Sequence, residues 1–251
     1  MRPVPLGVWA ALALLTVAGP CLAASPIPLV LSGSREGALY DLQKKLDRFV
    51  GAGRIQARTD YVGARPGDPD PWVWVNPGKP MLLTLLDRKS PHARIGWYAE
   101  GFGVPALDGV DDAVVLDRNA MRGDPQTFRV PASIPRFGFF VALDGVGTGA
   151  PVSGGFTTFT NRMWNSPGPD GTGAMHEPYD GDIQMLVYDI SRWAGPQTWL
   201  VACEASDSGA RIGHGPDDSD NDFTDFLFTV TGVGITPTKG VTFGDLKSRF
   251  R

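Results

Sequence analysis

The chain has 251 residues, 23 of them basic and 27 acidic, giving a formal charge of −4. That balance leaves no basic footprint for a nucleic-acid partner. The 32 glycines and 22 prolines suit turn-rich β structure better than repeated strand–helix units, and two cysteines exclude a disulfide framework.

The N-terminus has the three-part layout of a secretory signal. Arg2 supplies a basic start, Val8 to Val17 is apolar, and Cys21-Leu-Ala23 offers small residues at the cleavage positions. The apolar run is shorter than a bilayer-spanning helix needs. Residues 1–23 are therefore expected to be removed, and the product to be secreted or periplasmic. Acylation of Cys21 is the alternative, and Pro20 immediately before it argues against that. Loss of Arg2 takes the formal charge to −5 and leaves Cys203 as the sole cysteine. Within Trp199-Leu-Val-Ala-Cys203 it reads as a buried small hydrophobe.

Residues 24–71 form an N-terminal extension. Ser34 precedes a stretch from Arg35 to Val50 in which Leu39, Leu42, Leu46 and Phe49 recur at three- and four-residue intervals. Lys44, Lys45 and Asp47 take the other face. The pattern predicts one amphipathic helix, capped by Ser34 and stopped at Gly51 to Gly53.

From Trp72 short aromatic and β-branched runs alternate with Gly, Pro, Asp and Asn. The strand candidates are 72–75, 81–86, 93–98, 113–116, 128–130, 137–143, 156–160, 183–188, 199–203 and 226–231. In Phe137-Gly-Phe-Phe-Val-Ala-Leu143 the bulky residues repeat every second position, and the glycine and alanine between them leave room for neighbours. Ten such strands predict a mostly β domain over 72–232, a two-sheet β-sandwich of jelly-roll-like course. The stretch from Ala150 to Gly181 is a long loop of the kind that serves a site or stays poorly ordered. No period of 20 to 50 residues repeats. Residues 233–251 read as a polar tail with no apolar anchor.

The sharpest local feature is acidic. Glu204, Asp207, Asp217, Asp218, Asp220, Asp222 and Asp225 face one basic residue of the same segment, Arg211. Carboxylates folded close together repel one another, and a hard divalent cation relieves that repulsion. Asp218, Asp220 and Asp222 are two apart, the step by which a tight loop aims side chains at one centre. Asp225 opens the Phe226 to Thr231 strand and Glu204 closes the preceding one. Glu204, Asp218, Asp220, Asp222 and Asp225 are thus the candidate ligands of a Ca²⁺ ion. The pattern is no EF-hand, because Phe223 stands where the loop glycine is required and Thr229 where the bidentate glutamate should be. Asp220-Asn-Asp222 has the form that some sugar-nucleotide enzymes use for a metal, but the nucleotide-binding fold they need is absent from the pattern. A solvated acidic loop is the plain alternative.

The order of Phe137-Gly-Phe-Phe140, Gly155-Phe-Thr-Thr-Phe-Thr160, Met185-Leu-Val-Tyr188, Trp199-Leu-Val-Ala-Cys-Glu204 and Asp220-Asn-Asp-Phe-Thr-Asp-Phe-Leu-Phe228 resembles the DUF4114 domain of bacterial secreted and surface proteins. The last block fills every position of the family's aspartate–any–aspartate–aromatic–polar–aspartate pattern. The resemblance implies a calcium-binding β-sandwich with Glu204, Asp220, Asp222 and Asp225 at the acidic positions. Ala205 stands where the family usually has a second acid, and Gln184 where it usually has a histidine. It implies no reaction.

Neither a nucleophile elbow nor a phosphate loop is present, and His92, His176 and His214 are isolated in sequence. The expectation is a structural or surface-interaction module whose ion clamps an acidic loop between two strands, with a cell-surface or matrix glycan or protein as partner. A calcium-assisted, lectin-like glycan binder is the alternative, with Trp164 and Trp193 the exposed platforms. A hydrolase with a carboxylate-based site is the less favoured one, since carboxylate separation is a distance in space that no sequence count delivers. Oligomeric state is left open.

Overall fold

The structure is a computed structural model that describes residues 41–65, 68, 72–89, 93–101, 105–143, 157–161, 164–165, 183–204 and 222–235. The signal segment, Ser34, Asp218, Asp220 and most of the long glycine-rich loop lie outside these residues.

The described chain is mostly β and forms two packed antiparallel sheets with one helix of more than a single turn. In chain order the elements are α1 (Leu42–Val50), β1 (Trp74–Val75), β2 (Met81–Arg88), β3 (Ala93–Ala99), β4 (Asp112–Leu116), β5 (Pro125–Phe128), β6 (Arg136–Leu143), β7 (Thr157–Phe159), β8 (Met185–Asp189), α2 (Ser191–Ala194), β9 (Thr198–Cys203), β10 (Phe226–Thr231) and β11 (Gly234–Ile235). One sheet runs β11-β1-β6-β3-β4, with β7 also on β6; the other runs β5-β2-β10-β9-β8. Gly234–Ile235 pairs with Trp74–Val75, so the sandwich continues past residue 232.

Alternation along the strands sorts the core. Phe137, Phe139 and Val141 of β6 face Trp199, Val201, Cys203, Phe226, Phe228 and Val230 across the sandwich. The intervening Leu200, Ala202 and Leu227 face outward, yet they too are buried, because α1 and the 55–61 segment cover that face. A sheet packed on both faces asks for apolar residues at every position. This is why Trp199–Cys203 of β9 and Phe226–Phe228 of β10 read as unbroken hydrophobic runs. On the opposite sheet Gly138 carries the Tyr98 ring against its backbone, and a Cβ there would overlap the ring.

The helix begins at Leu42, with Asp41 as its cap: the Asp41 side chain accepts from Gln43 N at 2.8 Å. Gly51, at φ 117°, ends it as the sequence predicts. Leu42, Leu46 and Val50 are buried against Leu186, Leu200 and Leu227, each contributing about 1.5–3 kcal/mol. Gln43 braces the return, donating to Ile55 O and accepting from Ala57 N. The chain then lies along the free edge of β8: Tyr61 bridges Tyr188, and Val62 N donates to Val187 O at 2.7 Å. Among the described residues no helix is long and apolar enough to cross a membrane.

Candidate metal centre

The outer face of the β2-β10-β9-β8 sheet becomes polar just past the end of its ladder. Glu204 N donates to Gln184 O, and Lys89 N to Asp225 O, both at 2.8 Å. With Phe226 opposite Cys203 in register, Asp225 falls beside Glu204. Gln184, Glu204, Asp225 and Lys89 therefore form one cross-strand row, two positions beyond the buried row Leu186, Ala202, Leu227 and Asp87.

A bulge in β2 completes this arrangement. Strict alternation from Met81, Leu83 and Leu85 would aim Asp87 into the sandwich core. The register shift between Leu227 and Phe228 instead sets Asp87 opposite Leu227, on the helix side. There it meets Lys45 of α1, Nζ to Oδ2 at 3.1 Å, and the Arg122 guanidinium. Lys45 is thus buried, whereas the sequence pattern assigned it to the solvent face. Its ammonium also donates to Thr224 O at 2.8 Å, tying the helix to the turn before β10.

Of the five expected ligands, Glu204, Asp222 and Asp225 lie among the described residues; all three are buried at this end of the sheet, but their carboxylate oxygens do not all come within 4.8 Å of one another. Glu204 and Asp222 are each 1 % exposed and Asp225 8 %. Glu204 Oε2 accepts from the amides of Asp222 and Phe223, both at 3.2 Å. Asp222 Oδ1 accepts from Thr224 N at 2.8 Å, an aspartate turn. Asp225 Oδ1 pairs with Lys89 Nζ at 3.4 Å. Phe223 takes φ 55°, a left-handed conformation unfavourable for a bulky side chain, and is held there by its buried ring and the Glu204 bond. Each carboxylate therefore spends an oxygen on the protein itself. Lys45, Lys89 and Arg122 supply positive charge that a count within 204–225 does not see.

The remaining polar side chains at this end lack protein partners. Both side-chain polar atoms of Gln184 and the hydroxyl of Thr224 are buried without a hydrogen bond. A buried amide or hydroxyl left unpaired costs about 1–3 kcal/mol, and one stands on each side of Glu204 in the strand order β8-β9-β10. An amide carbonyl and a hydroxyl beside carboxylates make an all-oxygen donor set, which suits a hard cation such as Ca²⁺.

A second acidic cluster was not singled out from the sequence. Carboxylate oxygens of Asp108, Asp111 and Asp112 lie within 4.8 Å of one another, at the entry to β4. Among the described residues this is the set of three acids that converges so closely. Gly109, at φ 84°, turns the chain, its N–H donating to Asp112 Oδ2, while Val110 N donates to Asp108 Oδ1. Burial, then the neighbouring Asp108 and Asp111, push the Asp112 carboxyl above its ordinary value, with the Gly109 amide opposing them. The cluster could chelate a divalent ion. The legible signal was two acids just past a Gly-Val step from a third.

The aromatic platforms also shift. Trp164 is buried with Tyr98, Phe140 and Phe159 on the other sheet, so it offers no exposed face and shares no surface with Glu204 and Asp222. Trp193 is half-buried at the far end of β8. The three histidines lie outside the described residues. Comparison of the chain with protein-family models, with curated proteins and with solved structures gives no match.

Proposed function

We propose that this is an exported Ca²⁺-binding β-sandwich module with a structural or surface-interaction role. The observation that carries it is the pair Gln184 and Thr224, buried without partners beside Glu204, Asp222 and Asp225. Gln184 Oε1, Thr224 Oγ1 and these carboxylates would hold the ion, joined by Asp218 and Asp220 from the loop. When bound, the ion supplies positive charge that ties the loop to the ends of β8, β9 and β10. The protein's own part is rigidity: Glu204 fixes the amides of the turn and Lys45 fixes its carbonyl, so the ion would have only side chains left to draw together. Such a site serves architecture rather than turnover. The Asp108, Asp111 and Asp112 cluster, whose carboxylate oxygens lie within 4.8 Å of one another, supports a second cation position near the surface. Membership of the DUF4114 family and a jelly-roll-like strand course belong to the same proposal, supported by the quoted sequence blocks.

The test is thermal unfolding of residues 24–251 with excess Ca²⁺ and with EDTA. Saturation at a hundredfold over Kd stabilises by about 2.7 kcal/mol, which raises Tm by about 5–11 °C in a chain of this size. Asp222→Asn should remove most of the shift and Asp112→Asn little of it. Equal Tm in both buffers for the unsubstituted protein would sink the reading.

A further inference from the structure

We propose that the groove at the Asp189 end of β8 binds a neutral saccharide, and does so without the cation. The groove measures about 310 Å³, and its walls include Asp60, Tyr61, Arg65, Asp189, Trp193 and Trp199. That is the lower end of the range for small-ligand sites and suits one or two sugar rings.

Its chemistry is that of a polyhydroxyl ligand. Trp193 packs one side on the helix-covered core and is half-buried. Trp199 donates its Nε1 to Val233 O at 2.7 Å, so its indole is fixed and it offers the groove carbon rather than a hydrogen bond. Trp193 is thus the ring that meets the C–H face of a sugar, while Trp199, 9 % exposed and packed in the sandwich core, lends the groove only an edge. Asp189 commits Oδ1 to Ser191 N at 2.9 Å and keeps Oδ2 as an acceptor. Arg65 touches Asp60 at 3.4 Å through Nη2 alone, and its side chain is 69 % exposed, so further N–H donors face solvent. Acceptor and donor thus flank an apolar wall, as hydroxyls on a carbon ring require.

Charged ligands fit less well. Asp60, Asp68 and Asp189 repel an anion. An organic cation would be repelled by Arg65 and by the exposed Arg192, whose guanidinium lies 5.9 Å from the Trp193 ring centroid. The walls are also fixed before any ligand arrives. Asp60 Oδ2 accepts from Gln56 N, and Asp68 Oδ2 from Gly63 N and Arg65 N. Val62 N holds the loop to β8. Little ordering entropy is left to be lost on binding.

Gln184 and Asp189 mark opposite ends of β8, about 16 Å apart at the rise of a strand. A cation at the first end does not reach a sugar at the second. The inference therefore stands apart from the calcium reading.

The experiment titrates the mature protein with neutral hexasaccharides of β-glucan, xylan, mannan and chitin type, read by calorimetry, with Ca²⁺ and with EDTA. One of these is expected to bind with equal affinity in both buffers. Trp193→Ala and Asp189→Asn should each weaken it about tenfold, the loss of one good contact. Because Trp193 also packs on the core, the exposed Arg65→Ala is the control for folding: it should weaken binding with Tm unchanged. Loss of binding in EDTA would overturn the proposal in favour of a calcium-assisted lectin. No binding by any of the four, or binding untouched by all three substitutions, overturns it as well. A Tm that ignores Ca²⁺ while the sugar still binds removes the calcium proposal alone.

Discussion

Lys45→Met tests the packing of the whole helix-side face. The ammonium is 8 % exposed as a side chain, and its contacts include Asp87 Oδ2 at 3.1 Å and Thr224 O at 2.8 Å. Hydrogen bonds to charged groups contribute about 1.5–3 kcal/mol each, and removing one partner of a buried pair costs about 3–5 kcal/mol where the other is stranded. Asp87 is not stranded, because Arg122 remains beside it. Methionine also keeps the aliphatic stem in place and escapes the desolvation of an ammonium. We therefore expect a loss of about 2–3 kcal/mol, or about 5–10 °C in Tm. Urea unfolding followed by tryptophan fluorescence reads it, with the m-value unchanged. Lys44→Met is the internal control: the neighbouring residue is exposed, and its loss should stay within about 0.5 kcal/mol. If the two substitutions prove equivalent, α1 does not dock as described and the pinned turn loses its second anchor.

Phe223 offers an inverted ranking. Its ring is buried at φ 55°, so both Phe223→Ala and Phe223→Gly destabilise, but glycine by about 1 kcal/mol less because it relieves the backbone. Alanine proving better by urea unfolding would refute the strain. Gln197 takes φ 55° too but is exposed in the turn before β9; Gln197→Gly should raise stability by about 0.5–1 kcal/mol. Burial pushes the Cys203 thiol well above its ordinary value, with a bond to Thr158 opposing it in part. A raised folded value means that the unfolded chain loses its proton first. The stabilising contribution is whole below the unfolded thiol value of about 8.5 and declines above it at up to about 1.4 kcal/mol per pH unit. Urea melts across pH 8 to 10 should show that decline, and Cys203→Ala should flatten it.

The strands were legible because their periodicity is local. Phe137 to Leu143 alternates as a strand facing one core, and Trp199 to Cys203 runs apolar without interruption because a second layer covers it. The helix was legible from Leu42 and Leu46 but its polar face was not. Nothing near Lys45 in sequence announces that Asp87 and Thr224 will come to meet it from 42 and 179 residues away. The same non-locality governs the acidic turn. Glu204, Asp222 and Asp225 were visible as a run of acids and are buried at one end of the sheet without their oxygens converging, and the cations of that end come from α1, the residue after β2 and the loop before β5. Asp87 itself could not be placed, since alternation alone puts it on the wrong face and only the bulge corrects it. Trp164 was assigned to the surface from the Gly-Pro-Asn company it keeps, yet it closes a satellite core against Tyr98 and Phe159.

The contact of Tyr61 and Val62 with the margin of β8 has a consequence for association. An uncovered strand margin invites the matching margin of another molecule. Here the segment after α1 occupies that position within the same chain, so removing residues 41–68 would leave Leu186 to Tyr188 ready to pair with a neighbour. A shortened protein of this kind should aggregate rather than behave as a smaller sandwich.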